Sequence, residues 1–111
     1  MSGRIMKRMS GPAQVSNAAA TKYTVAAGRR GVIRHIHIQN PSAAAVTFNA
    51  SIGADAAGTR IFDAAQFSIG AGQVFDHFGV YVLEAAEIFQ AFAGTNNILV
   101  LTIDGEEEVL S

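Results

Sequence analysis

Two histidines, His35 and His37, have the residue type and spacing of a metal site. On a β-strand, residues i and i+2 point to the same face with Cα atoms roughly 6.5–7 Å apart, so two imidazoles can converge on one ion. Imidazole is the commonest protein ligand of metals. Strict alternation puts Ile33 and Gln39 on this face as well. An ordinary half-exposed strand face explains the same residues more simply, so we assign no metal site and no other cofactor.

The other residues that could perform catalysis do not form a recognisable motif. The chain has no Cys, which excludes a disulfide framework, a thiolate nucleophile and a cysteine-ligated metal. No Gly-X-Ser-X-Gly motif occurs, and Glu84 and Glu87 stand in a predicted turn. Gly70-Ala71-Gly72 lacks the Lys and the following helix of a phosphate loop. The sequence therefore predicts a protein that is not an enzyme and has no catalytic residues.

The charged residues divide the chain into two halves of opposite sign, although the net charge is −1. Residues 1–60 hold all eight basic residues and one acid, a balance of +7; residues 61–111 hold eight acids and no Lys or Arg, a balance of −8. Nucleic-acid-binding domains are usually net basic, so no direct contact with nucleic acid is expected. Opposite charges can meet at a contact between subunits, or they can cancel inside one fold. For a subunit contact, the predicted interface residues are Arg29, Arg30, Arg34, Glu106, Glu107 and Glu108.

Short alternating or apolar segments, separated by Gly, Pro and Asn, predict β-strands along most of the chain. The predicted strands cover residues 22–25, 32–40, 46–52, 60–63, 74–78, 80–83, 88–93 and 98–103. Leu83–Ala93 could instead be a helix, but the flanking glycines leave about ten residues, which is short for a stable helix. We predict a hairpin there. This spacing of strands indicates an all-β fold, a single antiparallel β-sandwich or jelly-roll-like domain.

The two ends of the chain are expected to lie outside these strands. Residues 1–20 are interrupted by Gly, Ser, Pro and Asn, and they predict an extended N-terminal arm that docks on a neighbouring subunit or frays. The sandwich domain is expected to cover residues 21–111 and to end in a short acidic tail, Asp104–Ser111. No run approaches 18 consecutive apolar residues, so no membrane association is expected.

Several short runs between residues 21 and 106 follow a recognisable scheme. They are Tyr-Thr-Val-Ala-Ala-Gly at 23–28, Ile-Gln-Asn-Pro-Ser at 38–42, Phe-Asn-Ala-Ser-Ile-Gly at 48–53, Leu-Glu-Ala-Ala-Glu at 83–87 and Leu-Thr-Ile-Asp-Gly at 101–105. Through them the chain resembles small β-sandwich virion proteins of tailed bacteriophages, of the minor tail protein or head decoration protein type. That scheme has Gly at the position of Ala86, which bears on the tightness of the turn.

The resemblance implies a non-enzymatic structural component of a phage particle, and we favour a minor tail protein over a capsid decoration protein. The implied partners are other tail or capsid proteins and further copies of this chain in a homo-oligomer, for example a trimer. Such a protein is made in the cytoplasm of the bacterial host and located in the virion. Phage tail tips and fibres use repeated His-X-His strands, and three copies on an axis would bring six nitrogens of His35 and His37 to one ion.

A receptor- or carbohydrate-binding tail module is the alternative from another class of function. Such sites usually expose aromatic rings that stack on sugar faces. The chain has no Trp and only two Tyr, Tyr23 and Tyr81, which argues against this alternative.

Overall fold

The computed structural model describes residues 3–54, 60–62 and 67–110, and these form strands joined by turns. In chain order the strands are β1 Gly3–Gln14, β2 Ala20–Thr24, β3 Arg29–Gln39, β4 Val46–Ile52, β5 Arg60–Phe62, β6 Ser68–Ile69, β7 Val74–Leu83, β8 Ile88–Ala93 and β9 Val100–Val109. Leu83–Ala93 forms a turn and a strand rather than a helix, but the hairpin prediction is wrong, because β7 and β8 belong to different sheets and do not pair with each other. Within these described ranges, no helix able to cross a membrane is present.

The strands form two antiparallel sheets that pack face to face. The front sheet has the order β1-β9-β3-β7, and the back sheet has the order β2-β8-β4-β5 with β6 paired to β4. The predicted all-β antiparallel sandwich is confirmed, whereas a jelly-roll connection pattern stays a prediction. Because β9 lies between β1 and β3, the acidic end of the chain is placed beside its basic beginning.

Apolar side chains from alternate positions of both sheets fill the space between them. On β9 the inward residues Leu101 and Ile103 are fully buried, and on β8 Phe89 is fully buried in the same way. Burying such a side chain contributes about 1.5–3 kcal/mol relative to leaving it in water. On the side of the core next to β7, the rings of Phe67 and Phe75 meet edge to face with centroids 4.8 Å apart.

A β-bulge interrupts the alternation along β3. Two consecutive residues of β9 pair with Ile33 and His35, so Arg34 between them has no partner position of its own. The extra residue keeps both Ile33 and Ile36 in the core, where they are fully buried, and turns His35 to the outer face. The prediction that Ile33 shares a face with His35 is therefore wrong, because strict alternation holds only in a strand without a bulge.

Both ends of the chain contribute strands to the front sheet. Residues 3–14, expected in the arm, form β1 and pair with β9. Residues 104–109, expected in the acidic tail, continue β9 as far as Val109, so the tail prediction is wrong for them. Ladder hydrogen bonds and contacts with neighbouring strands hold such segments even where the apolar alternation is weak. The division of the chain at residue 20 stays a prediction, and Asp63 and Ser111 lie outside the described residues.

Candidate functional site

The two oppositely charged halves of the chain meet side by side on the outer face of the front sheet. On β9, Glu106 and Glu108 alternate with inward residues. From β3, Arg34 Nε lies 2.8 Å from a carboxylate oxygen of Glu106, and Arg30 Nη1 lies 3.2 Å from one of Glu108. From β1, Arg4 reaches the same two carboxylates at 3.4 and 3.6 Å. Opposite charges from the two halves of the sequence therefore pair with each other within one chain.

All six residues predicted for a subunit interface have an ion-pair partner in their own chain. The half-exposed pairs among them, those of Glu106 and Glu108, contribute about 0–1 kcal/mol to stability each, because water solvates the separated charges well. They set the register of three neighbouring strands by placing acids opposite bases. Their role in contacts between subunits stays a prediction.

Glu107 points in the opposite direction, into the sandwich, and is 2% exposed. Its carboxylate accepts hydrogen bonds from Arg29 Nη1 at 2.7 Å and Lys7 Nζ at 3.3 Å. A third bond of 2.5 Å comes from the hydroxyl of Tyr23 on the back sheet. Burial by itself raises the pKa of Glu107, but the hydrogen bonds from Tyr23, Arg29 and Lys7 outweigh it and hold the pKa below its usual range. Glu107 is therefore a satisfied buried carboxylate that links the two sheets.

The space for this link comes from a glycine. A Cβ at Gly31 would lie 2.9 Å from Cε2 and 3.0 Å from the hydroxyl of Tyr23, so a side chain at this position of β3 would displace the ring. Burial, followed by the bond to Glu107, raises the pKa of Tyr23 well above its usual range. The hydroxyl is therefore a donor throughout the physiological range, as the contact with Glu107 requires.

The histidine pair faces outward and meets a carboxylate from the neighbouring strand. Asp76 on β7 lies directly opposite His37 in the sheet register. Its Oδ1 lies 2.6 Å from His37 Nδ1 and 2.8 Å from His35 Nε2. The hydrogen bonds with His37 and His35 hold the pKa of Asp76 below its usual range. No local pattern in the sequence points to Asp76, because it reaches the histidines through the pairing of β3 with β7.

Two further residues fix the ring of His35. The ring stacks on Phe78 with centroids 4.4 Å apart and an angle of 1° between the planes. Its Nδ1 lies 3.6 Å from Oδ2 of Asp104 on β9. The three side chains that converge at Asp76 Oδ1 are half-exposed to exposed, so the cluster opens to solvent on one side. Chemically, it can bind a cation through two nitrogens and an oxygen.

β7 forms one edge of the front sheet, and its outer face is apolar. The large exposed side chains along it are Val74, Phe78, Val80 and Val82. Phe78 is 73% exposed and Val80 is 61% exposed. The charged residue on this face of β7 is Asp76, which forms hydrogen bonds with both His35 and His37. In the part of the chain that the structure describes, no strand pairs with the outer edge of β7.

The opposite edge of the same sheet, β1, has the features that discourage pairing with another chain. This strand contains the basic residues Arg4, Lys7 and Arg8. Pro12 has no backbone N–H to donate, and the register of β1 against β9 shifts twice, between Arg8 and Ser10 and between Ser10 and Ala13. Charges, prolines and irregular register are the usual protection of an edge strand. The two edges of the front sheet therefore differ in kind.

A cleft of about 460 Å³ lies on the outer face among β1, β9 and β3. Its polar lining is Lys7, Arg8, Arg34, Asp104 and Glu106. Arg34 and Lys7 are already engaged by glutamates. Among the described residues, neither a serine nor a histidine lines this cleft.

Glu84 and Glu87, the other acids considered for chemistry, belong to the turn between β7 and β8. Glu84 lies 3.0 Å from Arg30 Nε, and Glu87 accepts a 2.6 Å hydrogen bond from the backbone N–H of Glu84. Ala86 in this turn has a φ of 70°, in the left-handed region that favours glycine. The acids shape a turn, and Ala86 is strained where the resembling scheme has Gly.

Comparison with known proteins gives a weak likeness to a solved structure. No protein-family model matches the chain, and no curated protein sequence matches it. Among solved structures, a chain of the "Cyanophage Pam1 capsid asymmetric unit" is 14% identical; the match covers 99% of this chain and 82% of that chain, with a TM-score of 0.39. At this identity and TM-score the likeness establishes neither a common fold nor a common function.

Proposed function

We propose that this protein is a non-enzymatic structural subunit of a tailed-phage particle, a minor tail protein that associates with further copies of itself through the outer edge of β7. The resemblance of its short sequence runs to phage virion proteins supports the location in a phage particle. Assembly through β7 is supported by the contrast between the unpaired, apolar edge at β7 and the protected edge at β1. A capsid decoration protein would use the same kind of contact.

A neighbouring strand added at β7 would pair its free backbone N–H and C=O groups and cover the apolar row beside them. Phe78 and Val80 are the most exposed members of that row. Full burial of side chains of this size stabilises by about 1.5–3 kcal/mol each, before the entropy cost of association. A second copy of the chain is the partner we assign, because a homo-oligomer presents this edge at every contact.

Two observations weigh against a carbohydrate-binding module. Tyr23 is buried with its hydroxyl on Glu107, and Tyr81 faces inward with its hydroxyl 2.9 Å from His77 Nε2. Neither ring is presented to a sugar. Phe78 is exposed but stacks on His35, and the other large exposed side chains of its row are the valines of β7, which suits a protein contact better than a sugar platform.

The test is the location of this protein in purified particles. Mass spectrometry of particles that have been banded on a density gradient measures whether the protein is present and in how many copies, and gold-labelled antibodies show where it lies. We expect a fixed copy number and label on the tail. Label on the head would replace the tail assignment with the decoration role, and absence from particles would overturn the virion role.

A further inference from the structure

We propose that His35, His37 and Asp76 bind one divalent transition-metal ion per chain, with Zn²⁺ as the first candidate, on the outer face of the front sheet. This site goes beyond the structural role and does not depend on it. The two imidazoles come from one interior strand and the carboxylate from the next. All three ligands therefore belong to one chain, and no symmetry axis is required to complete the set.

The three donor atoms already converge. The potential ligand atoms of His35, His37 and Asp76 lie within 4.8 Å of one another. His35 Nε2 and His37 Nδ1 both approach the same oxygen, Asp76 Oδ1. An ion with bonds of about 2.0–2.2 Å to nitrogen and carboxylate oxygen fits among them after small rotations of half-exposed side chains. Two rigid strands in register supply the Cα positions, so little backbone movement is needed.

The surroundings select the nitrogens that would bind. On His35, Nε2 points to Asp76 while Nδ1 faces Asp104 Oδ2 at 3.6 Å. Asp76 accepts a hydrogen bond from Nε2, so a metal that binds this nitrogen displaces its proton. The second nitrogen then holds the ring proton toward the carboxylate of Asp104, which is a recurring arrangement around ligating histidines. The stack with Phe78 holds the ring in this orientation. On His37, Nδ1 is the nitrogen that faces the cluster.

The donor set suits Zn²⁺ and its neighbours in the first transition row. Imidazole nitrogens favour Zn²⁺, Cu²⁺ and Ni²⁺, whereas Mg²⁺ and Ca²⁺ prefer oxygen ligands throughout. Two histidines and one carboxylate are three of the four ligands of a tetrahedral site. The exposed side of the cluster leaves the fourth position to water or to a donor from a neighbouring molecule.

Isothermal titration of the untagged full chain with Zn²⁺ tests the site. We expect one ion per chain in the wild type, and an affinity at least about tenfold lower in His35→Ala, His37→Ala and Asp76→Asn, since even outer-shell changes at metal sites cost tenfold or more. His77→Ala is the matched control, because His77 is the third histidine and bonds to Tyr81 away from the cluster. Wild-type protein without stoichiometric binding, or equal loss in the control, overturns the proposal.

Nitrogen-detected NMR of the wild-type imidazoles gives a second readout that does not require any variant to fold. Zn²⁺ should shift the resonances of His35 Nε2 and His37 Nδ1 and leave those of His77 in place. The same titration with Mg²⁺ should leave all three rings unchanged. A Zn²⁺-induced shift centred on His77, or no shift on His35 and His37, contradicts the site.

Discussion

The hydroxyl of Tyr23 donates a 2.5 Å hydrogen bond to Glu107, joining β2 of the back sheet to β9 of the front sheet. Arg29 and Lys7 complete the partners of the buried carboxylate from the strands on either side of β9. This one acid thus links four strands from both ends of the chain. The link also depends on Gly31, because the absence of a side chain there makes room for the ring of Tyr23.

Replacing the buried carboxylate of Glu107 should lower the free energy of unfolding far more than replacing the outward carboxylate of Glu108. In Glu107→Gln, Arg29 and Lys7 lose the charge they face, although their half-exposed side chains can recover water. We expect a loss of about 2–3 kcal/mol in the free energy of unfolding. Glu108→Gln, which breaks only half-exposed pairs, should cost less than about 1 kcal/mol. Urea unfolding measures both, and equal losses would contradict the central place of Glu107.

The stabilisation by Glu107 should depend on pH with a defined sign. Its pKa is lower in the folded chain than the ordinary value of 4.5. A carboxyl of this kind contributes its full stabilisation above the unfolded pKa and loses it as the pH falls through the folded pKa. The difference in unfolding free energy between the wild type and Glu107→Gln should therefore be constant from neutral pH down to about 5 and shrink below that. Urea titrations at a series of pH values measure this, and a gap that does not narrow in acid would refute it.

A single substitution in the turn between β7 and β8 should increase the stability of the fold. Ala86 has a φ of 70°, where a side chain costs roughly 1–2 kcal/mol that glycine does not incur. After the larger entropy that glycine loses on folding, Ala86→Gly should still gain about 1 kcal/mol, which corresponds to a rise of several degrees in melting temperature. Ala85→Gly is the matched control, because Ala85 is not among the residues with positive φ; it should bring no gain. Thermal unfolding followed by circular dichroism measures both variants, and a lower melting temperature for Ala86→Gly would contradict the strain.

The architecture could be predicted from sequence where apolar alternation is strong. Segments such as Ile88–Ala93, bounded by Gly and polar turns, indicated strands and hence the sandwich. The hairpin prediction failed because β8 pairs in the other sheet from β7, and local patterns do not specify which strands pair. β1 could not be predicted in this way, because most of its residues are basic, small or Met and show no apolar alternation, and its strand form depends on pairing with β9. The acidic half of β9 was missed for a related reason, since arginines from β1 and β3 neutralise charges that by themselves indicate a solvated tail.

The candidate sites were predictable only in part. The spacing of His35 and His37 is visible in the sequence, whereas Asp76 joins them through a pairing of strands about 40 residues apart that no local pattern specifies. The bulge at Arg34 also has no signature in the alternation, and it moved Ile33 into the core. The charge split was visible, but only the order of strands shows that opposite signs face each other within one chain.

Self-association should be weakened by a charge introduced on β7 and unaffected by the same charge introduced on β1. Val80→Lys places an ammonium in the exposed row of β7, where a second chain would have to bury it, and should weaken self-association by at least about tenfold. Met6→Lys is the matched control, because Met6 is 88% exposed on the outer face of the protected strand β1. It should leave association unchanged.

Sedimentation equilibrium of the wild-type chain alongside these two variants is the direct test of assembly through β7. We expect a defined oligomer for the wild type and Met6→Lys, and a shift toward monomer for Val80→Lys at the same concentrations. A wild type that stays monomeric at every concentration, or an oligomer that Val80→Lys leaves intact, would contradict assembly through β7.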